Sequence, residues 1–149
     1  MKIVNRKFHR DYEALEVMEA GISLTGGEVK SIRDQQMRLE ESFVKIVGDE
    51  VFLINANIPP YPFAAGKGYD PKRTRKLLLH KSEILRLQVK LQQGGRLTMA
   101  PLSCYNKGRR IKLEIALARP RKEIEKRKLE KRRDIELSQK REMKEYMKV

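Results

Sequence analysis

Lysine and arginine, rather than acid–base dyads or thiols, are the side chains this sequence offers for chemistry. What they do best is neutralise phosphate. Three short segments set them beside groups able to read a nucleic acid. The first, Asn5-Arg6-Lys7-Phe8-His9-Arg10-Asp11-Tyr12, mixes cations, an amide and rings. Cations hold phosphates while rings stack on bases splayed out of a loop or single strand. The segment as a whole, Arg6 among its cations, therefore suits contact with RNA. The second is Glu19 with Gly21, an acid in a basic protein beside a glycine that marks a strand bulge or a close backbone approach. Its carboxylate can accept hydrogen bonds from a base edge or pair with a neighbouring arginine. The third, Arg75-Lys76-Leu77-Leu78-Leu79-His80-Lys81, sets Arg75, Lys76, His80 and Lys81 around an apolar anchor, where a loop meets a helix start. Each segment also has a structural reading: a solvated terminus, an exposed strand charge, a buried leucine run with solvated flanks.

Other chemistries find little support. No serine or cysteine nucleophile has an evident base, and no glycine loop has the spacing that cradles phosphate, so neither an enzyme nor a cofactor is expected. Asp11, Glu13, Glu16 and Glu19 could serve as metal carboxylates, but isolated acids along a strand read first as surface charge. His9, His80 and Cys104 are too widely separated for a zinc site. Cys104 has no partner for a disulfide and reads as a buried strand residue. No run approaches the roughly 20 apolar residues of a membrane span, and residues 1–7 lack the apolar core of a signal peptide. Together with the single thiol, this points to the cytoplasm and to no membrane partner.

The 149 residues suffice for one domain with a modest core. Their formal net charge of +14 points to a polyanion partner. Residues 119–149 carry 13 basic and 7 acidic side chains, and residues 1–118 carry the other 21 and 13. The C-terminal stretch has the higher charge density, but the body is basic in its own right. Two polyanion-facing surfaces are therefore expected.

The elements that must position these groups follow from periodicity. Residues 1–10 lack a clear period and read as a leader arm. Residues 14–24 read as a strand whose alternation slips by one at residues 18–21. Thr25-Gly26-Gly27-Glu28 fits a capping box, and Val29 and Ile32 continue it as a short helix to about Arg33. Phe43–Val47 and Glu50–Ile54 flank Gly48-Asp49 as a hairpin. Residues 59–76, rich in proline and glycine, read as a long loop. Ile84, Leu87, Gln88 and Leu91 define a helical face that Gly94-Gly95 stops. Residues 96–105 and 110–118 form a second hairpin, with Ile111, Leu113, Ile115 and Leu117 alternating inward. Five or six hairpin-linked strands predict a mainly β domain, an OB-like antiparallel barrel with short inserted helices, over residues 1–118. A two-layer α+β sandwich is the alternative.

Pro120 ends the last strand. Beyond it helix formers are abundant but apolar residues sparse, so residues 119–149 are expected to be disordered alone and helical on a partner. As a full helix the tail would span about 45 Å at roughly 1.5 Å per residue. The body's radius of gyration is near 13 Å, so the tail reaches far beyond its footprint.

Four segments together resemble the bacterial SsrA-binding protein (small protein B) family: Asn5-Arg6-Lys7, the run Glu19-Ala20-Gly21 through Gly27-Glu28-Val29-Lys30-Ser31, Arg75-Lys76-Leu77-Leu78-Leu79-His80-Lys81, and Ala116-Leu117-Ala118-Arg119. The resemblance runs in order along essentially the whole chain. It implies an OB-like barrel that binds the tRNA-like domain of transfer-messenger RNA (SsrA RNA) and delivers it to stalled ribosomes in trans-translation. It implies, too, that the tail enters the vacant mRNA channel beside 16S rRNA. By resemblance Asn5 and Glu19 match family positions tied to RNA binding, and Lys7, His9, Lys30, Lys76, His80 and Lys81 match motif positions assigned to RNA contact. In the tail, Lys122, Ile124, Glu125, Lys126, Arg127, Lys131, Arg132 and Arg133 are the expected ribosome contacts. Four residues depart from the family pattern: Glu125 stands for aspartate, Ile124 for an aromatic residue or histidine, Pro120 for glycine, and Phe8 for a small residue. The leading expectation is a monomeric, non-enzymatic ribosome-rescue cofactor. The competing readings are an integral basic ribosomal protein, a general structured-RNA binder and a small RNA-processing enzyme.

Overall fold

The computed structural model describes residues 1–63 and 68–147; Gly66 of the expected long loop lies outside them. Among the described residues the chain forms seven strands and four helices. In order they are β1 (Lys2–Val4), α1 (Phe8–Asp11), β2 (Tyr12–Ile22), α2 (Gly26–Arg33), β3 (Phe43–Val47), β4 (Glu50–Ile54), β5 (Arg75–Leu78), α3 (Lys81–Gln92), β6 (Thr98–Lys107), β7 (Arg110–Pro120) and α4 (Glu123–Met147).

All pairings are antiparallel, in the order β1-β6-β3-β4-β5-β2-β7, and β7 also pairs with β6. Six strands thus close a ring, the barrel expected from the alternation. Closure leaves fewer open edges to recruit other chains. β1 and β3 share one edge of β6 at opposite ends, β1 against Ser103 to Tyr105 and β3 at Met99.

The alternation of β7 turns Ile111, Leu113, Ile115 and Leu117 inward, against Leu53, Val51, Leu39 and Ile32. Removing each such side chain from water stabilises the fold by about 1.5–3 kcal/mol. α3 adds Ile84 and Leu87 to this core, as its periodicity predicts. Both two-residue hairpin turns need a left-handed residue and place glycine there, Gly48 at φ 64° and Gly108 at φ 63°. Thr25 and Glu28 form the expected capping box of α2.

Three expectations are corrected. Residues 1–10 are not a free arm: β1 pairs with β6, and α1 follows. The reason is Phe8, which is fully buried in a second small core with Ala100, Leu102, Ala116, Ala118 and Tyr12. Alanines on β6 and β7 leave the room its ring fills. The slip in β2 falls at Leu15, between Ala14 and Glu16, not at Gly21. Gly21 instead marks the close approach: a Cβ there would lie 3.1 Å from Leu78 Cβ. Arg75 and Lys76, expected at the end of the loop, instead open β5.

Candidate nucleic-acid interface

Positioning begins inside the protein. Glu28, third residue of α2, caps its own helix through Thr25 and turns its carboxylate inward. There it receives Arg75 Nε at 2.6 Å and the Arg73 guanidinium. Arg75 also donates to Ala56 O at 2.8 Å and Pro71 O at 3.0 Å, and Tyr69 donates to Ile58 O at 2.8 Å. Both Glu28 and Arg75 are buried. Burial raises the carboxyl pKa. Hydrogen bonds from Arg73, the Thr25 backbone and Arg75, with the Arg75 charge, outweigh it and bring the value from 4.5 to about 2. The network ties α2, β5 and both ends of the long loop into one block. Arg75, expected at the RNA surface, is therefore corrected to an interior residue: its alternation partner Lys76 faces out while Arg75 and Leu77 face in.

Asn5 is corrected in the same sense. It is 4% exposed. Its backbone N–H donates to Leu102 O at 2.8 Å and its side-chain amide to Pro101 O at 2.9 Å. Those carbonyls flank the bulge of β6 between Pro101 and Ser103, where the ladder to β7 is interrupted. Asn5 Oδ1 accepts from Lys7 N at 3.2 Å, turning the chain into α1. Asn5 and Arg75 thus set where their neighbours stand; Arg6, Lys7 and His9 remain exposed beyond them.

Glu19 lies on the outer face of β2, opposite Glu114 of β7. It reaches across β7 to β6, where Tyr105 Oη donates to it and Lys107 Nζ approaches to 3.1 Å. These two bonds hold its carboxyl below the usual range. Burial and the bond to Glu19 push the Tyr105 hydroxyl up to about 12. The partner is thus a tyrosine and a lysine rather than an arginine. Sequence reasoning missed both, although the outward alternation of β6 at Tyr105 and Lys107 was the available signal. A carboxylate has about four acceptor sites, so two stay open to donors on a base.

Gly21 pairs with Leu78, and Ser23 N bonds Lys76 O at 2.9 Å, so the second and third expected groups occupy adjacent strands. Lys76 faces out beside Glu50 at 3.6 Å, and His80 and Lys81 are exposed at the start of α3, where the His80 N–H donates to Glu83. Lys30 is exposed on α2. The other acids proposed as metal ligands each face a cation: Asp11 with Lys126, Glu13 with Arg119, Glu16 with Arg86 and Lys90. Cys104 is buried, which pushes its thiol up to about 12 and leaves it inert.

The N-terminal group and the tail base meet. Arg121 N donates to Asp11 O at 2.8 Å, and Arg121 Nε to His9 O at 3.1 Å and Tyr12 O at 3.2 Å. Arg10 pairs with Glu130 at 2.7 Å, Lys126 with Asp11 at 3.6 Å, and Arg119 with Glu125 at 3.8 Å. Beyond that footing α4 stands clear, with no buried residue among those described. Ile124 is 68% exposed. Arg127 pairs only along its own helix, with Glu123 at 4.0 Å, while Lys122, Lys131, Arg132 and Arg133 face solvent. Among the described residues no helix is long and apolar enough to cross a membrane.

Comparison with known proteins places this geometry. The family model described as SmpB protein matches residues 2–145. An SsrA-binding protein of Sulfurihydrogenibium sp. (strain YO3AOP1) is 50% identical over 131 residues, 88% of this chain and 86% of that one. Those of Caldicellulosiruptor saccharolyticus and Mesoplasma florum are 47% and 49% identical, each over 96% of this chain and 90% and 94% of theirs. A chain from the solved structure described as "tmRNA-SmpB: a journey to the center of the bacterial ribosome" is 43% identical, with a TM-score of 0.67 over 82% of this chain and 85% of that one. Identity at this level over nearly the full length, on the same barrel, leaves one conclusion: the chain belongs to the SmpB protein family.

Proposed function

We propose that this chain binds the tRNA-like domain of transfer-messenger RNA and delivers it to stalled ribosomes in trans-translation, with α4 probing the vacant mRNA channel. The observation that carries this reading is the division of the molecule: a closed basic barrel, and a 25-residue basic helix that leaves it with no residue buried among those described. At roughly 1.5 Å per residue α4 extends about 37 Å. The body binds through Arg6, Lys7, His9, Lys30, Lys76, His80 and Lys81, with Glu19 as acceptor, while Asn5, Gly21 and Arg75 hold those side chains in place. Phosphate neutralisation makes affinity fall steeply with salt, and the folded shape of the RNA gives preference.

The tail works by exclusion. A helix with so little burial gains its order from the surface it meets. An occupied channel denies it that surface; an empty one supplies it, through Lys122, Ile124, Glu125, Lys126, Arg127, Lys131, Arg132 and Arg133. Nothing in this mechanism requires bond chemistry by the protein or a second copy of the chain, and a ribosomal partner fits a cytoplasmic location. Far-UV circular dichroism of the free full chain against a chain ending at residue 118 tests the tail: a fully helical free tail overturns order-on-binding. Capture of the tagged protein from lysate, with sequencing of bound RNA, tests the whole. Strong enrichment of transfer-messenger RNA is expected, and a random sample of cellular RNA overturns the reading.

A further inference from the structure

The long loop carries two aromatic rings that the barrel does not use. Phe63 is 89% exposed, and its ring centroid lies 5.8 Å from that of Tyr61 at an interplanar angle of 66°. Lys30 Nζ sits 5.4 Å from the centroid of the Tyr61 ring. Singly exposed apolar side chains are ordinary on protein surfaces; a pair of rings seated against a lysine is a different object.

The segment bearing the rings is held at its base. Ser31 Oγ of α2 donates to Pro59 O at 2.8 Å, Ile58 N to Pro71 O at 2.9 Å, and Tyr69 Oη to Ile58 O at 2.8 Å. Pro59, Pro60 and Pro62 fix φ through the stretch that presents Tyr61 and Phe63. A ring presented this way loses little freedom when something stacks on it.

The surroundings select the sign of the occupant. From residue 51 to residue 69 the sequence contains no acid. Lys30 and Arg33 are exposed one turn apart on α2, and the Ile58–Pro71 bond brings exposed Lys72 beside the segment. A flat apolar ring bordered by cations matches an unpaired nucleobase with its phosphate.

We infer that Phe63 and Tyr61, with Lys30, form a stacking platform for an unpaired base of the bound RNA, the phosphate of that nucleotide resting on Lys30. This deepens the RNA-binding reading above and rests on it. The platform lies outside the residues expected from the sequence, of which only Lys30 belongs to it.

The chain contains no tryptophan, so Phe63→Trp introduces a single reporter. The full-length variant is titrated with the tRNA-like domain of transfer-messenger RNA, and binding is followed in parallel by mobility shift. Quenching of the introduced indole in step with the shift is expected, because a stacked base lies against it. Phe63→Ala is expected to weaken binding by about 5- to 150-fold, the worth of one stacked base, with the salt slope unchanged. Lys30→Met is expected to lower that slope by roughly one phosphate. Exposure of Phe63 and Lys30 makes all three variants compatible with folding, which circular dichroism checks. Complete RNA binding with unchanged indole emission, or equal affinity of Phe63→Ala, overturns the platform and leaves the RNA-binding reading standing. If the unmodified protein does not bind this RNA, the RNA-binding reading falls and the platform with it.

Discussion

The barrel and the tail helix are both rich in charge and use it in opposite ways. In the barrel, charges near the long loop are turned inward and paired: Glu28 with Arg75 and Arg73. A buried pair is intolerant of losing one member, because the survivor stays in a low-dielectric interior. Along α4, Arg127 pairs with Glu123 in solvent, where such a bond contributes at most about 1 kcal/mol. One region spends its charges on holding a shape; the other, beyond its footing on α1, keeps most of them in solvent. A braced body and a projecting helix can thus be built from similar residue types, and burial decides which is which.

The difference can be broken most drastically by removing one side of it. Deleting residues 119–149 is expected to abolish tagging of stalled chains in a trans-translation assay. The remaining barrel should still unfold in one cooperative urea transition, lowered only by loss of the Arg119–Glu13 pair and of the Arg121 bonds to Asp11, His9 and Tyr12. Loss of cooperative unfolding in the truncated chain would show that α4 is part of the core after all.

Glu28→Gln attacks the other side. It leaves Arg75 buried without its anion and should cost about 3–5 kcal/mol in urea denaturation. Adding Arg75→Met should recover part of that loss, as coupled sites do.

Acid provides a gentler version of the same test. The folded pKa of Glu28 is about 2, against 4.5 ordinarily. Its contribution is therefore complete above pH 4.5 and is lost as pH falls toward 2. The native protein should lose on the order of 3 kcal/mol across that window, and Glu28→Gln should lack this part of the acid dependence.

Smaller effects sharpen the contrast at the surface. Glu19→Ala should weaken binding of the tRNA-like RNA on the order of tenfold by removing an acceptor, with thermal unfolding unchanged. Glu130→Lys places a like charge against Arg10. It should lower the urea midpoint by the equivalent of less than about 1 kcal/mol.

Legibility in the sequence followed the range of the interaction. The Thr25–Glu28 capping box, the Gly48-Asp49 hairpin and the inward run of β7 were legible because each depends on residues a few positions apart. The slip in β2 was legible as a slip but misplaced, since Gly21 and Leu15 both disturb alternation and only the partner strand shows which is the bulge. Lys7, Lys30, Lys76 and Lys81 were legible as exposed cations, and His9 and His80 as exposed rings. Asn5 and Arg75 were recognisable as notable residues but not as interior ones. Tyr69 carried no local signal at all, and Tyr105 only the outward alternation of β6.

Residue types and short-range spacing alone determined the sign of the partner, the strand and helix segments, and the separation of a foldable body from a thinly apolar tail. Those properties depend on composition and on contacts within a turn or a hairpin. Tertiary structure alone decided that Arg75 turns inward onto Glu28, that Asn5 closes the β6 bulge, and that Glu19 meets Tyr105 and Lys107. Each of those bonds joins residues more than forty positions apart. Whether a charged side chain faces water or another charge is settled only once the ring of strands has closed around it.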